Sequence, residues 1–290
     1  MGLEWNTAAR FAGTSLAARI VELKNGSSGA SVTLADAVLR DPLRVATAAI
    51  DELAALAGVS PASVSRFARA LGFPGYPSLR SALSSALQDV LNPVEKLRDA
   101  VGRGGPLDAG LDAILSNVRA TADALRGHDV SQAAGAIAAA RCVFVVGFGL
   151  SAHSAGHLVL GLQPFCQQVV DVVGFGGNEV AAGRLMGVGA GDVVIAISVP
   201  RYARDALGLA AYARDRGAKV IAITDSPAAP LSAMADVVLL APAAHPVLPS
   251  SSVAVLFVIE TLVVALMTRG TDSVARAQEL SEAIGSYLVP

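Results

Sequence analysis

Two groups of residues have types and spacing suited to chemistry on anions. The first is Ser60, Ser63, Ser65, Arg66 and Arg69, set in a stretch from residue 58 to residue 88 that contains no carboxylate. Hydroxyls and guanidinium groups at this density can reach phosphates and base edges, and the arginine fork matches the paired acceptors of guanine in the major groove. The second group is dispersed: Gly149 and Ser151 in Gly-Phe-Gly-Leu-Ser, Ser198, Arg201 and Arg204 in Ser-Val-Pro-Arg-Tyr-Ala-Arg, and Thr224 in Thr-Asp-Ser. Each run follows an apolar, β-branched segment and leads toward a helix start. There backbone N–H groups and hydroxyls can gather around an anion, and the helix dipole favours negative charge. Plainer readings exist for both groups. A helical hairpin with two solvated arginines accounts for the first, and ordinary strand-to-helix turns capped by Ser and Gly account for the second.

The first group is positioned by two short helices around a tight turn. Leu53, Ala54 and Ala57 recur at helical spacing, and Gly58 follows where a left-handed residue would end the helix. Val59 plugs the angle between the helices. Ser60 is a good N-cap, and Pro61 suits the first helical position because its missing N–H would be unpaired there anyway. Val64, Phe67, Ala68 and Leu71 fall at i, i+3, i+4, i+7, which turns one face inward and leaves Ser63, Ser65, Arg66 and Arg69 outside. This pattern predicts a helix-turn-helix whose second helix enters a major groove. Residues 33–39 and 78–91 read as helices packed around it, 7–23 as an amphipathic helix, and 25–31 as a Gly/Ser-rich connection.

The second group is positioned by strands alternating with helices. Residues 143–146, 169–173, 193–197, 220–223 and 237–240 are short β-branched runs, as strands buried on both faces of a parallel sheet require. Helical stretches near 152–162, 178–186 and 202–216 separate them, after Ala-rich helices at 107–126 and 130–140. The predicted fold class is α/β overall: an all-α helix-turn-helix bundle, then a doubly wound, parallel, five-stranded sheet that binds ligands at its C-terminal strand ends. Asn92-Pro93 and Gly-Arg-Gly-Gly-Pro at 102–106 bracket a short charged helix. They place a linker at 92–106 between domains at 1–91 and 107–290.

The segment 32–83, with DELAALAGVSPASVSRFARALGFPGYPSLRSAL inside it, resembles the N-terminal domain of the RpiR/MurR family of bacterial transcriptional regulators. It carries that family's Leu-Gly-Phe-x-Gly-Tyr/Phe-x-x-Leu/Phe-Arg/Lys pattern after the helix-turn-helix. Residues 191–242, GDVVIAIS through ADVVLLAP, are similar to the sugar isomerase (SIS) domain that follows it in the family. The resemblance implies a domain that binds a phosphosugar or related metabolite and dimerises. Ser151 matches the Ser of its G-x-G-x-S motif and Ser198 the first Ser of S-x-S-G-x-T/S. The second motif then departs from the family pattern. Pro200, Arg201 and Ala203 stand where a second Ser, a Gly and a Thr are usual, so two hydroxyls are missing while Arg201 and Arg204 bring cations. Those cations can grip a phosphate or carboxylate bidentately, or can be solvated residues beside Asp205 at a helix start.

Other readings attach to the same region. Residues 147–152 also fit G-x-G-x-x-A, with Asp171 at about the distance of a ribose-binding acid; its position among valines places it inside a strand, against a nicotinamide site. His153 and His157 are spaced i, i+4 as two metal ligands would be, but no Cys or carboxylate completes a set, so no metal or cofactor is expected. Cys142 and Cys166 read as small buried hydrophobes. Glu260, inside the apolar run 253–267, could be an isomerase base and is more simply a polar residue on an interface helix.

Composition sets the outer limits. A chain of 290 residues, 53% hydrophobic and 16% charged, can bury the cores of two domains and is not disordered. Mean hydropathy is +0.55, yet the run 253–267 carries Glu260 and is shorter than a bilayer needs. The first residues, with Glu4, Asn6 and Arg10, lack a signal-peptide core, so a cytoplasmic protein without membrane attachment is expected. A net charge of −2 confines any DNA contact to a local, dimeric footprint. The reading is a homodimeric or tetrameric regulator, not an enzyme, with operator DNA and a small anionic metabolite, a sugar phosphate or sugar acid, as partners. The alternative is an aldose-ketose phosphosugar isomerase with a helical appendage.

Overall fold

A computed structural model describes residues 7–8, 10–91, 97–98, 100–101, 106–174, 177–270, 272–285 and 287. The expected linker at 92–106 lies largely outside the described residues.

The N-terminal part is a bundle of short helices: α1 (Ser15–Asn25), α2 (Ala30–Arg40), α3 (Pro42–Thr47), α4 (Ile50–Ala57), α5 (Pro61–Ala70) and α6 (Tyr76–Leu91). The single helix expected over 7–23 is interrupted at Gly13-Thr14, where the Thr14 hydroxyl accepts from Ala17 N–H at 3.1 Å and starts α1 afresh. Asp41 ends α2, and its carboxylate also accepts from Arg44 N–H at 3.1 Å and caps α3, with Pro42 at the first position. Phe11, Ile20, Leu34, Leu53, Phe67, Leu79 and Leu83 are fully or almost fully buried in the common core, each contributing on the order of 1.5–3 kcal/mol by removal from water.

Helices α7 (Pro106–Leu125) and α8 (Asp129–Ala139) lead into β1 (Val143–Gly147), α9 (Leu150–Leu162), β2 (Val169–Asp171), α10 (Gly177–Arg184), β3 (Val193–Ile197), α11 (Arg204–Asp215), β4 (Lys219–Thr224), a 3-10 turn at Ser232–Met234, β5 (Val237–Leu240), α12 (Val253–Met267) and α13 (Ser273–Gly285). The sheet order is β2-β1-β3-β4-β5 and every pairing is parallel. Every residue of β1 and β3 is buried, which is why their sequences do not alternate. Val143, Val145 and Ile195 face a core shared with α8, α9 and α12; Phe144, Val146 and Val194 face the opposite core, with α10 and α11. At the entry to the strands Arg141 clamps the buried Asp192 carboxylate bidentately, at 3.0 and 2.7 Å.

One strand expectation differs from the structure. The second strand ends at Asp171 rather than at residue 173, because the Asp171 carboxylate accepts from Gly174 N–H at 3.2 Å and turns the chain out of the sheet. Helix α12 buries Ala254, Val255, Val258, Ile259, Leu262 and Leu266 but leaves Val264 55% exposed. Leu160 on the neighbouring α9 is 70% exposed, so an apolar face remains open there. Among the described residues no helix is long and apolar enough to cross a membrane.

Candidate functional site

The first candidate site is α5. Gly58 adopts φ 64°, ψ 34° and donates to the α4 carbonyls, and Val59 N–H reaches the Ala54 carbonyl at 2.9 Å, which closes the turn. The Ser60 hydroxyl accepts from Ser63 N–H at 3.2 Å and lies 3.0 Å from Ser63 Oγ. Arg66 donates to Ser63 Oγ at 2.8 Å. Ser60 and Ser63 therefore fix the start of the helix and one arginine rotamer, while Arg66 and Arg69 are exposed and Ser65 is half-buried.

Two supports of α5 were not legible as such. Arg19 donates to the Leu71 carbonyl at the end of α5, and its guanidinium stands 5.2 Å from the centre of the Phe73 ring. Tyr76, the aromatic of the Leu-Gly-Phe-x-Gly-Tyr run, is buried and donates to the carbonyls of Val45 and Ala48 at 3.1 and 3.0 Å. It ties the start of α6 to the end of α3, which gives that sequence pattern a physical reason.

The second candidate site forms at the C-terminal strand ends. Gly147, Ile197 and Ile223 are level in the register, so the loops after β1, β3 and β4 emerge side by side. Strand order reverses between β1 and β3, where a doubly wound sheet opens a crevice. Gly147 must lack a side chain, because a Cβ there would lie 2.3 Å from the Ser151 carbonyl oxygen. Gly149 has φ 59° and starts α9. Ser151 and Ser198 are buried at the rim of the sheet. Thr224 is fully buried and donates to the Ser198 carbonyl at 2.6 Å, so its proton is committed to joining the ends of β3 and β4.

Arg201 is exposed and has φ 70°, the only non-glycine with positive φ among the described residues. The loop thus has a left-handed backbone, which favours glycine, at the position where the resembling motif has Gly, with an arginine in its place. Such a residue is strained by about 1–2 kcal/mol. Arg204, also exposed, opens α11, whose N-cap Ala203 offers no side-chain cap. With Asn178, Asp205, Gly208 and Leu209 it lines a cleft of about 170 Å³.

Asp225 and Tyr202 were passed over as candidates, although Asp225 follows an apolar strand directly. Asp225 is buried and accepts from the Tyr202 hydroxyl at 2.7 Å. Burial pushes its carboxyl up to about 6, against the lowering effect of the Tyr202 hydrogen bond. Burial and the neighbouring carboxylate raise the Tyr202 phenol well above its ordinary value.

The remaining expectations resolve by position. Asp171 lies at the end of β2, not inside it, and its carboxylate is engaged in the following turn. His153 and His157 are exposed on α9, and among the described residues no three His, Cys, Asp or Glu side chains cluster as a metal site would need. Cys142 is buried and Cys166 half-buried, its thiol pushed up to about 11 by burial.

A helix-turn-helix bundle followed by a five-stranded parallel sheet flanked by helices is the architecture of a transcriptional regulator with a SIS domain. The comparisons with known proteins agree. Residues 14–90 match the helix-turn-helix domain of the rpiR family and residues 136–265 match the SIS domain. The chain is 26% identical over 239 residues to an HTH-type transcriptional regulator, YbbH, of Bacillus subtilis, covering 79% of this chain and 82% of that protein. Among solved structures it is similar to the sugar isomerase domain of an RpiR transcription factor from Sphaerobacter thermophilus, with TM-score 0.54, 28% identity, and 60% of this chain and 96% of that chain covered. It also shares the fold of the Vibrio vulnificus NanR protein complexed with ManNAc-6P, with TM-score 0.58, 22% identity, and 95% and 100% coverage. The chain thus carries an rpiR-family helix-turn-helix domain and a SIS domain, the pair of domains of a sugar-phosphate-sensing type of transcriptional regulator.

Proposed function

We propose that the crevice at the ends of β1, β3 and β4 senses a small anionic metabolite of the sugar phosphate or sugar acid class, and that α5 of each subunit reads one half of an operator. The observation that carries the effector reading is the register. It sets Ser151, Ser198 and the loop bearing Arg201 and Arg204 along one edge although they lie up to about fifty residues apart in the chain. Arg201 and Arg204 then supply the charge that two lost hydroxyls would otherwise share, and guanidinium groups suit planar oxyanions. The NanR relative in complex with ManNAc-6P makes a phosphorylated sugar the first compound to try.

We read the crevice as a sensor rather than a catalyst. The carboxyl at the strand ends, Asp225, is enclosed and hydrogen-bonded to Tyr202, out of reach of a substrate proton. The open face around Val264 and Leu160 is our candidate for the contact between two copies, since an exposed apolar patch of this kind favours association. A cytoplasmic location follows from the DNA partner.

A thermal-shift screen of the full chain against phosphosugars, sugar acids and free sugars tests the effector, because any ligand of the folded state stabilises it. Selection of a binding site from random duplex DNA tests the operator. Stabilisation by anionic sugars together with a selected pseudo-palindrome is expected. Turnover of a sugar phosphate by the pure protein, with no selected DNA, would replace this reading by the isomerase.

A further inference from the structure

The interruption between the first helical turn and α1 has a location that the sequence does not explain. Gly13 sits against three side chains of the second domain: a Cβ built on it would meet Asp225 Oδ2 at 2.9 Å, Pro200 Cγ at 3.0 Å and the Tyr202 hydroxyl at 3.1 Å. Ala12 beside it is buried against Tyr202 and Ala229. Phe11, one residue earlier, is fully buried in the core of the helix-turn-helix bundle, and Ala228 packs against both that core and the Ala12 cluster. Residues 11–13 therefore span the seam between the domains. The glycine does not have the positive φ that would itself demand glycine, so the contact, and not the backbone, excludes a side chain here.

The surface that receives Gly13 consists of the loops after β3 and β4. Pro200 and Tyr202 flank Arg201, and Asp225 follows Thr224, whose hydroxyl holds the Ser198 carbonyl. We infer that these strand-end loops are the seat on which the DNA-binding domain is held, so that Gly13, Pro200, Tyr202 and Asp225 couple the effector crevice to the orientation of α5. The coupling rests on the effector and operator reading above; the seat itself does not. A ligand that draws Arg201 into the crevice moves the two residues on either side of it, and both Pro200 and Tyr202 touch Gly13. Tight packing transmits such a shift, because a seam without spare volume has few intermediate positions.

The test uses the full chain with Gly13→Val, and Gly13→Ala in case valine prevents folding, since the first added carbon already meets all three atoms. Gly156→Ala, in α9 with open space around it, is the control. Hydrogen exchange followed by mass spectrometry needs no ligand and reads the seat directly. At least tenfold faster exchange is expected in peptides covering 10–18, 199–204 and 225–230 of either Gly13 variant, with the strands and α5 unchanged and the control like the parent. Unchanged exchange in 199–204 and 225–230 overturns the seat. The coupling is read on DNA: the Gly13 variants should lose about tenfold in affinity for a full selected operator while binding a single half-site as the parent does. Equal affinity for the full operator overturns the coupling. If the parent selects no DNA, the regulator reading and the coupling fall together, and exchange still decides the seat.

Discussion

The proposed recognition helix and the proposed strand-end effector site both carry groups suited to anions, yet they are built in opposite ways. Helix α5 and its N-cap draw their polar residues from ten consecutive positions, and Ser63 bonds to Ser60 and to Arg66 within the first two turns. The crevice draws on three loops from three strands and is held by contacts between residues distant in the chain, such as Thr224 on Ser198. A local site can lose a side chain without moving its neighbours. A site assembled by a sheet registers each loss in the shape of the whole rim, and through the seam at Gly13 in the domain above it.

The largest effect that would sharpen this contrast is loss of effector binding. Arg201→Gly combined with Arg204→Ala should remove about 3–6 kcal/mol of effector affinity, at about 1.5–3 kcal/mol for each hydrogen bond to a charged group. Calorimetry with a phosphosugar identified in the thermal screen measures it, and DNA binding without effector should stay intact. Normal affinity in that variant would show that the loop is only structural.

A second effect concerns Asp225. Its folded-state value of about 6 lies above its ordinary value of 3.8, so the folded state holds the proton more tightly than the unfolded chain. Stability is then greatest below about pH 4, apart from other groups, and this contribution is lost as pH rises through 4 to 6. The difference amounts to about 3 kcal/mol at about 1.4 kcal/mol per unit. Asp225→Asn should flatten that part of the profile in denaturant titrations, since the amide oxygen still accepts from Tyr202. A parent profile with no decline between pH 4 and 7 that Asp225→Asn removes would contradict the enclosed carboxyl.

On α5 the effects should be smaller and separable. Arg66→Ala and Arg69→Ala should each weaken operator binding by about 1–3 kcal/mol where they meet bases, with circular dichroism and melting unchanged. Equal affinity in both would remove α5 as the reading element. The smallest effect is a gain: Arg201→Gly alone should stabilise the fold by about 1 kcal/mol through release of the left-handed strain, while weakening the effector. A variant that is less stable than its parent would mean that Arg201 holds the loop rather than the ligand.

Much of the helix-turn-helix was legible because its signals are local. Gly58, Ser60 and Pro61 set the turn through their own backbone preferences, and the i, i+3, i+4, i+7 spacing of Val64, Phe67, Ala68 and Leu71 sets the buried face. The five strands were legible for a related reason: β-branched runs only four to six residues long, too short for a helix, suit the strands of a parallel sheet, and β1 and β3 are buried along their whole length. The end of β2 was misjudged at Asp171 because a valine pair extends the pattern while a carboxylate-to-N–H bond ends the strand.

The sequence by itself determined which segments become helix or strand, which face of α5 stays outside, and that hydroxyls and cations follow the strands. These properties are decided within a few residues by backbone preference and apolar period. Tertiary structure alone decided that Arg201 would take the backbone of a glycine, that Thr224 would donate to Ser198, that Asp225 would be sealed by Tyr202, and that Gly13 would meet Asp225, Tyr202 and Pro200 at the seam. The bonds of Thr224 and Asp225 join residues 26 and 23 positions apart, brought together by strand register, and the Gly13 contacts join segments about two hundred residues apart; a pattern read along the chain carries no information about what lies across such gaps.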